Sequence, residues 1–328
     1  MKKKSIILII LLIIGGIGGI YAYYFYFVIN WDDQLPPNYD KLDRIEFNVS
    51  GAIIDDFAYW LQDIDVEKAK NSPYDLLIID YSSDGEEAGE FSYAQVEYMK
   101  SSEANKKLLL SYISIGEAET YRFYWNNTWD ADFDGTPDAS APEWLDIENP
   151  EWEGNYKVHF WEQGWQNITY EYLDRILAAG FDGIYMDIID AYEYYEGSVS
   201  HSDWLMMDFV ANISNYVKAE AGANFSVFVQ NADELLVNSS YLSVIDGIGR
   251  EDLFFDDNDQ TDKEWRAEGI NNLNRAVEGG KAVLVTDYPE NTDDVYSFYS
   301  KCIDNEYLAY GAERDLDSLK SYEFYPPT

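Results

Sequence analysis

The chain has 328 residues, 47% of them hydrophobic, with one Cys, two His and a formal charge of −40. Such a charge repels nucleic acid and anionic polymers, and the lone Cys302 excludes an intrachain disulfide and a Cys-built metal centre. What stays open is a neutral or cationic substrate, handled by carboxylates and by an aromatic complement of 29 Tyr, 16 Phe and 10 Trp.

In chain order, Lys2, Lys3 and Lys4 precede about twenty-five uncharged residues that end near Ile29, a length that predicts a transmembrane helix over residues 1–30. Positive charge before the run and none directly after it predicts an N-terminus inside and the rest outside. The expected location is therefore the extracellular face of the cell membrane, held by a single-pass anchor, or secretion if the segment is a cleaved signal. Residues 31–52, polar and carrying Pro36-Pro37, predict a stalk. Residues 53–328 then predict one domain.

Within that domain, short apolar runs alternate with amphipathic ones. The predicted strands are 57–61, 76–80, 108–115, 183–189, 226–230, 244–248, 282–286 and 307–310; the predicted helices are 93–104, 168–179, 204–219, 235–242, 263–278 and 293–304. Eight alternating strands predict an α/β fold with a closed parallel sheet, a (β/α)8 TIM barrel. No G-x-G-x-x-G turn follows a first strand, which argues against an open dinucleotide-binding sheet. Residues 120–165 show no clear periodicity and predict a long loop on the C-terminal face of the barrel, where it can wall or cover a substrate.

The C-terminal ends of the predicted strands carry the chemistry. Asp80 closes the second, Glu117 and Glu119 follow the third, and Asp187 with Asp190 ends the fourth. Asp233 and Glu234 follow the fifth, Glu251 and Asp252 the sixth, and Asp287 the seventh. A barrel mouth rich in carboxylates and aromatic rings suits sugar hydrolysis, in which one acid protonates the leaving oxygen and another attacks or activates water. His159 and His201 lie where neither a His-based triad nor a three-His metal site is served. Asp80, Tyr112, Glu117, Glu119, Asp190 and Gln230 are candidate contacts to sugar hydroxyl or amino groups. No cofactor is required by this chemistry. Asp130, Asp132, Asp134 and Asp138 space their oxygens like the start of a calcium loop, with Gly135 at the turn, but Ala141 stands where such a loop carries its bidentate Glu.

Three segments carry a resemblance: Ser111–Glu119, Gly180–Asp190, and Trp144-Leu145 followed by Glu148-Asn149-Pro150. They resemble the exported (β/α)8 proteins of glycoside hydrolase family 114, whose type activity is endo-α-1,4-polygalactosaminidase. The resemblance implies that Asp187 is the catalytic Asp of the fourth strand and Glu251 the catalytic Glu of the sixth, in a retaining mechanism with Asp187 as nucleophile and Glu251 as acid/base. Glu119 matches the family's third-strand Glu. Two positions depart from the pattern: Glu117 stands where a small residue is usual, and Tyr185-Met186 replaces Glu-Pro before Asp187. The implied function is an extracellular hydrolase of a polysaccharide, an α-1,4-galactosamine-type polymer being the family's substrate. The competing expectation is a barrel at the cell surface that binds polysaccharide without cleaving it.

Overall fold

The computed structural model describes residues 39–101 and 107–327, together with the backbone of 5–16 and 19–30. It contains two units, Met1–Lys41 and Leu42–Thr328.

In the first unit, Ser5–Gly16 pairs antiparallel with Gly19–Asn30, from Ser5 opposite Asn30 to Gly16 opposite Gly19. The predicted membrane helix is thus corrected to a hairpin. Its two runs are rich in Ile, Tyr and Phe, residues that favour strands, and Gly-rich sequence separates them. No helix among the described residues is long and apolar enough to cross a membrane. The predicted stalk also needs correction. Residues 31–38 lie outside the described residues, but Phe47–Val49 and Ala52–Ile54 form a hairpin of the second unit, with Val49 and Ile54 buried.

The second unit is built on eight strands: β1 Phe57–Trp60, β2 Leu76–Ile79, β3 Leu108–Ser114, β4 Gly183–Asp187, β5 Ser226–Gln230, β6 Gly247–Glu251, β7 Ala282–Asp287 and β8 Leu308–Gly311. They pair in sequence order, each parallel to its neighbour. β8 comes round to β1, where Tyr310 packs on Phe57 at 5.7 Å between ring centres, so the sheet is a nearly closed TIM barrel. β2, β3, β5 and β7 are buried along their whole length, which explains why they read as continuous rather than alternating apolar runs.

The helices are α1 Val66–Asn71, α2 Tyr93–Lys100, α3 Gln163–Ala179, α4 Ala191–Tyr195, α5 Ser202–Ala221, α6 Ser239–Val244, α7 Lys263–Glu278 and α8 Thr292–Asp304. Asp65, Asn238, Asp262 and Asn291 cap α1, α6, α7 and α8 by accepting first-turn N–H groups. The sixth strand begins at Gly247 rather than at the expected 244, because α6 runs on to Val244.

No helix follows β8 among the described residues. The tail from Ala312 takes that place. The Leu316 carbonyl accepts the Leu61 N–H at 2.9 Å beyond the C-terminal end of β1, Tyr74 donates to the Lys320 carbonyl, and Tyr325 donates to the Asp55 carbonyl at 3.1 Å just before β1. The tail therefore runs down the β8–β1 seam, and Tyr322, Phe324 and Tyr325 pack on Tyr299 of α8.

The long loop between β3 and α3 is also ordered. Glu117–Glu119, Asn155–Val158 and Leu145–Glu148 make a small antiparallel sheet with the 155–158 strand in the middle. Its strands are only three or four residues long, which is why the segment showed no period.

Candidate active site

The residues just past β4, β5 and β6 take left-handed backbone conformations: Ile188 at φ 58°, Asn231 at 57° with Ala232 at 51°, and Asp252 at 54°. For a β-branched residue such as Ile188 this conformation is strained and must be held by its surroundings. The holding group is the segment 111–119. The Ile115 N–H donates to the Asp187 carbonyl at 3.1 Å, and Gly116 lies so close that a Cβ there would sit 2.2 Å from the Ile188 carbonyl oxygen. Two of the three sequence segments singled out above are therefore one structural unit, which aims Asp187 into the mouth.

Asp187 accepts the Tyr112 hydroxyl at 2.9 Å and the Ile188 N–H at 2.7 Å. Glu251 accepts the Gln230 amide at 2.5 Å and the Tyr288 hydroxyl. Gln230 in turn receives the Tyr59 hydroxyl at 3.0 Å, and the Tyr59 ring packs against Tyr185 at 5.3 Å. The barrel floor thus consists of tyrosines and one amide that hold two carboxylates. Gly249 keeps space for it, because a Cβ there would fall 1.7 Å from the Tyr185 hydroxyl.

Burial raises the Asp187 carboxyl well above the usual carboxylate range; the charge of Glu251 adds to the effect, and the Ile188 and Tyr112 donors oppose it. Glu251 is pushed up to about 7, first by burial and then by the Asp252 charge, against the Tyr288 donor and the Arg314 and Arg250 charges. Both carboxyls are therefore held above the ordinary carboxylate range, chiefly by burial.

Asp187 and Glu251 line a cleft of about 780 Å³ at the C-terminal mouth, and so do Asp80, Tyr112, Glu117, Glu119, Asp190 and Gln230. All eight residues named from sequence therefore meet in one place, but their surroundings differ. Asp80 and Glu119 clasp Arg122, at 2.7 and 2.6 Å, and the guanidinium is only 3% exposed. Burial pushes Asp80 up to about 6 against the pull of Arg122. Glu117 receives the Asn149 amide at 2.8 Å and the Asn155 amide at 3.3 Å, so it clamps the strands of the small sheet to one another. Asp190 opens α4 and is raised by burial, with Arg250 opposing.

Other strand-end acids serve the scaffold. Asp233 pairs with Arg250 at 3.3 Å and accepts the Asn272 amide. Asp287 accepts the N–H groups of Leu253, Phe254 and Phe255 at 2.8–2.9 Å. Arg250, adjacent to Glu251 in sequence, points the other way, as the two-residue strand period requires.

Tyr59, Arg122, Tyr288 and Arg314 are among the residues at this mouth that escaped the sequence reading. Tyr288 follows Asp287, and Arg122 lies three residues past Glu119, so proximity to a strand-end acid was the available signal. Arg314 pairs with Asp252, Asp256 and Asp257 at 2.8–3.0 Å and covers the Tyr288 ring at 4.1 Å. Its long-range partners leave no trace in sequence.

In the acidic loop, the carboxylate oxygens of Asp130, Asp132 and Asp134 lie within 4.8 Å of one another. Asp130 is buried and accepts the Asp134 and Gly135 N–H groups and the Tyr156 hydroxyl. Asp138 instead accepts the Ala131 N–H at 2.9 Å.

A TIM barrel with paired carboxylates at the floor of a long acidic cleft is the architecture of a sugar hydrolase. The chain belongs to glycoside-hydrolase family GH114, whose model matches residues 50–324. It is 38% identical over 281 residues to the uncharacterized protein MJ1477 of Methanocaldococcus jannaschii, covering 81% of this chain and 78% of that one. A Thermotoga maritima protein, also uncharacterized, is 33% identical over 279 residues, with 80% and 82% covered. The fold is similar to the glycoside hydrolase domain of PelA from Pseudomonas aeruginosa (TM-score 0.60, 15% identity, 81% of this chain and 97% of that one). It is also similar to Aspergillus fumigatus Ega3, solved in complex with galactosamine (TM-score 0.61, 14% identity, 87% and 99%). The protein is a glycoside hydrolase.

Proposed function

We propose that this hydrolase cleaves an α-1,4-linked galactosamine-type polymer at internal bonds by a two-carboxylate retaining mechanism. The observation that carries the reading is the pair Asp187 and Glu251: two buried carboxyls, each held by hydroxyl or amide donors, that line one cleft. Glu251, protonated near neutrality, gives its proton to the glycosidic oxygen while Asp187 attacks the anomeric carbon. Glu251 then takes a proton from the water that releases the sugar from Asp187. The many carboxylates of the cleft favour a polymer with ammonium groups.

Proton NMR of the polymer during digestion tests this: oligomers with the α-anomer appearing first are expected. Initial β-anomer would mean inversion, and an intact polymer would remove galactosamine from the reading.

Two further expectations belong to this proposal. Export rests on the three lysines ahead of a long uncharged run, and fractionation of cells with N-terminal sequencing of the product checks it. A calcium ion among Asp130, Asp132 and Asp134 would fix the loop that carries them, and an unfolding temperature unchanged by calcium or chelator would exclude it.

A further inference from the structure

The cleft is acidic, and among its lining residues three are cationic: Arg122, Lys157 and Arg314. Arg122 is taken up by Asp80 and Glu119, and Arg314 by Asp252, Asp256 and Asp257. Lys157 differs: among the described residues no carboxylate lies within ion-pair distance of it. Its ammonium instead sits over the Tyr194 ring, 5.0 Å from the centre. The nearby acid is Glu117, whose two oxygens already receive the Asn149 and Asn155 amides.

Beside this pair is a rigid turn. The Asn149 N–H donates to the Asn155 carbonyl at 2.7 Å, the Asn155 N–H to the Trp152 carbonyl at 3.1 Å, and the Gly154 N–H to Glu148 at 2.6 Å. At its tip Trp152 is 59% exposed yet lines the cleft, as does Tyr194 at 51%. A large ring left in water on a fixed turn is poorly explained by packing. The apolar C–H face of a pyranose is the surface it matches, since ring faces are electron-rich and C–H edges carry the opposite polarity.

We infer that Trp152, Tyr194 and Lys157 form an outer sugar subsite that takes an uncharged, N-acetylated residue in preference to a free amino sugar. This deepens the proposed function and rests on it for the identity of the polymer. An amino sugar's ammonium would seek an aromatic face, but Lys157 already occupies that of Tyr194 and repels a second cation. An acetamido group brings a carbonyl oxygen that the Lys157 ammonium can donate to, with no charge to repel. An anionic sugar is disfavoured by Glu151, Glu153 and Asp190 in the same lining. The enzyme would thus read partly acetylated chains, with the acetylated unit placed by this subsite and the bond to be cut placed over Asp187 and Glu251.

The test is calorimetric binding of α-1,4-linked galactosamine oligomers, one set fully deacetylated and one partly N-acetylated, to the full chain carrying D187N. Partly acetylated oligomers should bind on the order of tenfold more tightly. Lys157→Gln should bring the two sets within about twofold, and Trp152→Ala should weaken both by about tenfold, equivalent to about 1.4 kcal/mol. Unchanged discrimination in Lys157→Gln, or unchanged binding in Trp152→Ala, would overturn the subsite. Discrimination in binding without any cleavage by the intact enzyme would uphold the subsite while counting against the proposed function.

Discussion

Individual residues at this site act through the charge states that burial imposes. In the proposed mechanism Glu251 serves as acid only while protonated, so activity should be lost as pH rises through about 7, and Asp187 attacks only while ionised, so activity should fall again toward acid pH. A bell-shaped rate profile with its alkaline limb near 7 is expected. The same shift has a stability sign. The folded carboxyl holds its proton above the ordinary 4.5, so folding loses stability as pH rises from about 4.5 through about 7. Glu251→Gln should therefore raise the unfolding temperature at pH 8 and leave it nearly unchanged at pH 4. A higher gain at pH 4 would contradict the assignment.

Arg122 is a second residue-scale case. Its removal leaves Asp80 and Glu119 buried without a cation, and loss of one partner of a buried ion cluster costs about 3–5 kcal/mol. Denaturant unfolding of Arg122→Met should show that loss near pH 8 and a smaller one near pH 5, where Asp80 takes up a proton. A loss below about 1 kcal/mol at pH 8 would mean the cluster is not load sharing in the fold.

Among the elements, strands set the site through what they leave out as much as through what they carry. Gly249 on β6 leaves room for Tyr185 of β4, which in turn packs on Tyr59 of β1. Gly249→Ala should lower the unfolding temperature strongly and displace the barrel floor, and Tyr185→Phe in the same chain should restore part of it by removing the hydroxyl that the Cβ meets first. No gain from the second change would point to another clash. Tyr185 is thus paired with a glycine two strands away, a coupling that is invisible without the fold. The buried strands and the long helices α5, α7 and α8 were legible because apolar runs and 3.6-residue periods persist over whole elements. The short helices α1 and α4 and the small sheet of the long loop were not, since six residues or fewer leave no period to detect. Glu117 and Glu119 were visible as acids past a strand, but their partners Asn149, Asn155 and Arg122 are set by tertiary contacts.

The whole molecule shows the same division. Acids at six strand ends pointed to one mouth, and the nearly closed parallel sheet brings Asp187 and Glu251 to one cleft from positions 64 residues apart in sequence. No helix is predicted after the eighth strand and none follows it among the described residues; the tail that takes that place packs Tyr322, Phe324 and Tyr325 in irregular order against α8, an arrangement with no period to read. At the N-terminus, length and hydrophobicity predicted a helix, whereas runs of Ile and aromatic residues favour the paired strands found there.

The central claim, that Asp187 and Glu251 are the two reacting carboxyls, is tested most directly by the cleavage rates of D187N and E251Q on α-1,4-galactosamine oligomers that the intact enzyme cuts. Each variant should lose about 10³-fold in kcat/KM with unchanged circular dichroism, and D187N should still bind the oligomer. Retention of more than about a tenth of the intact rate by either folded variant would contradict the account.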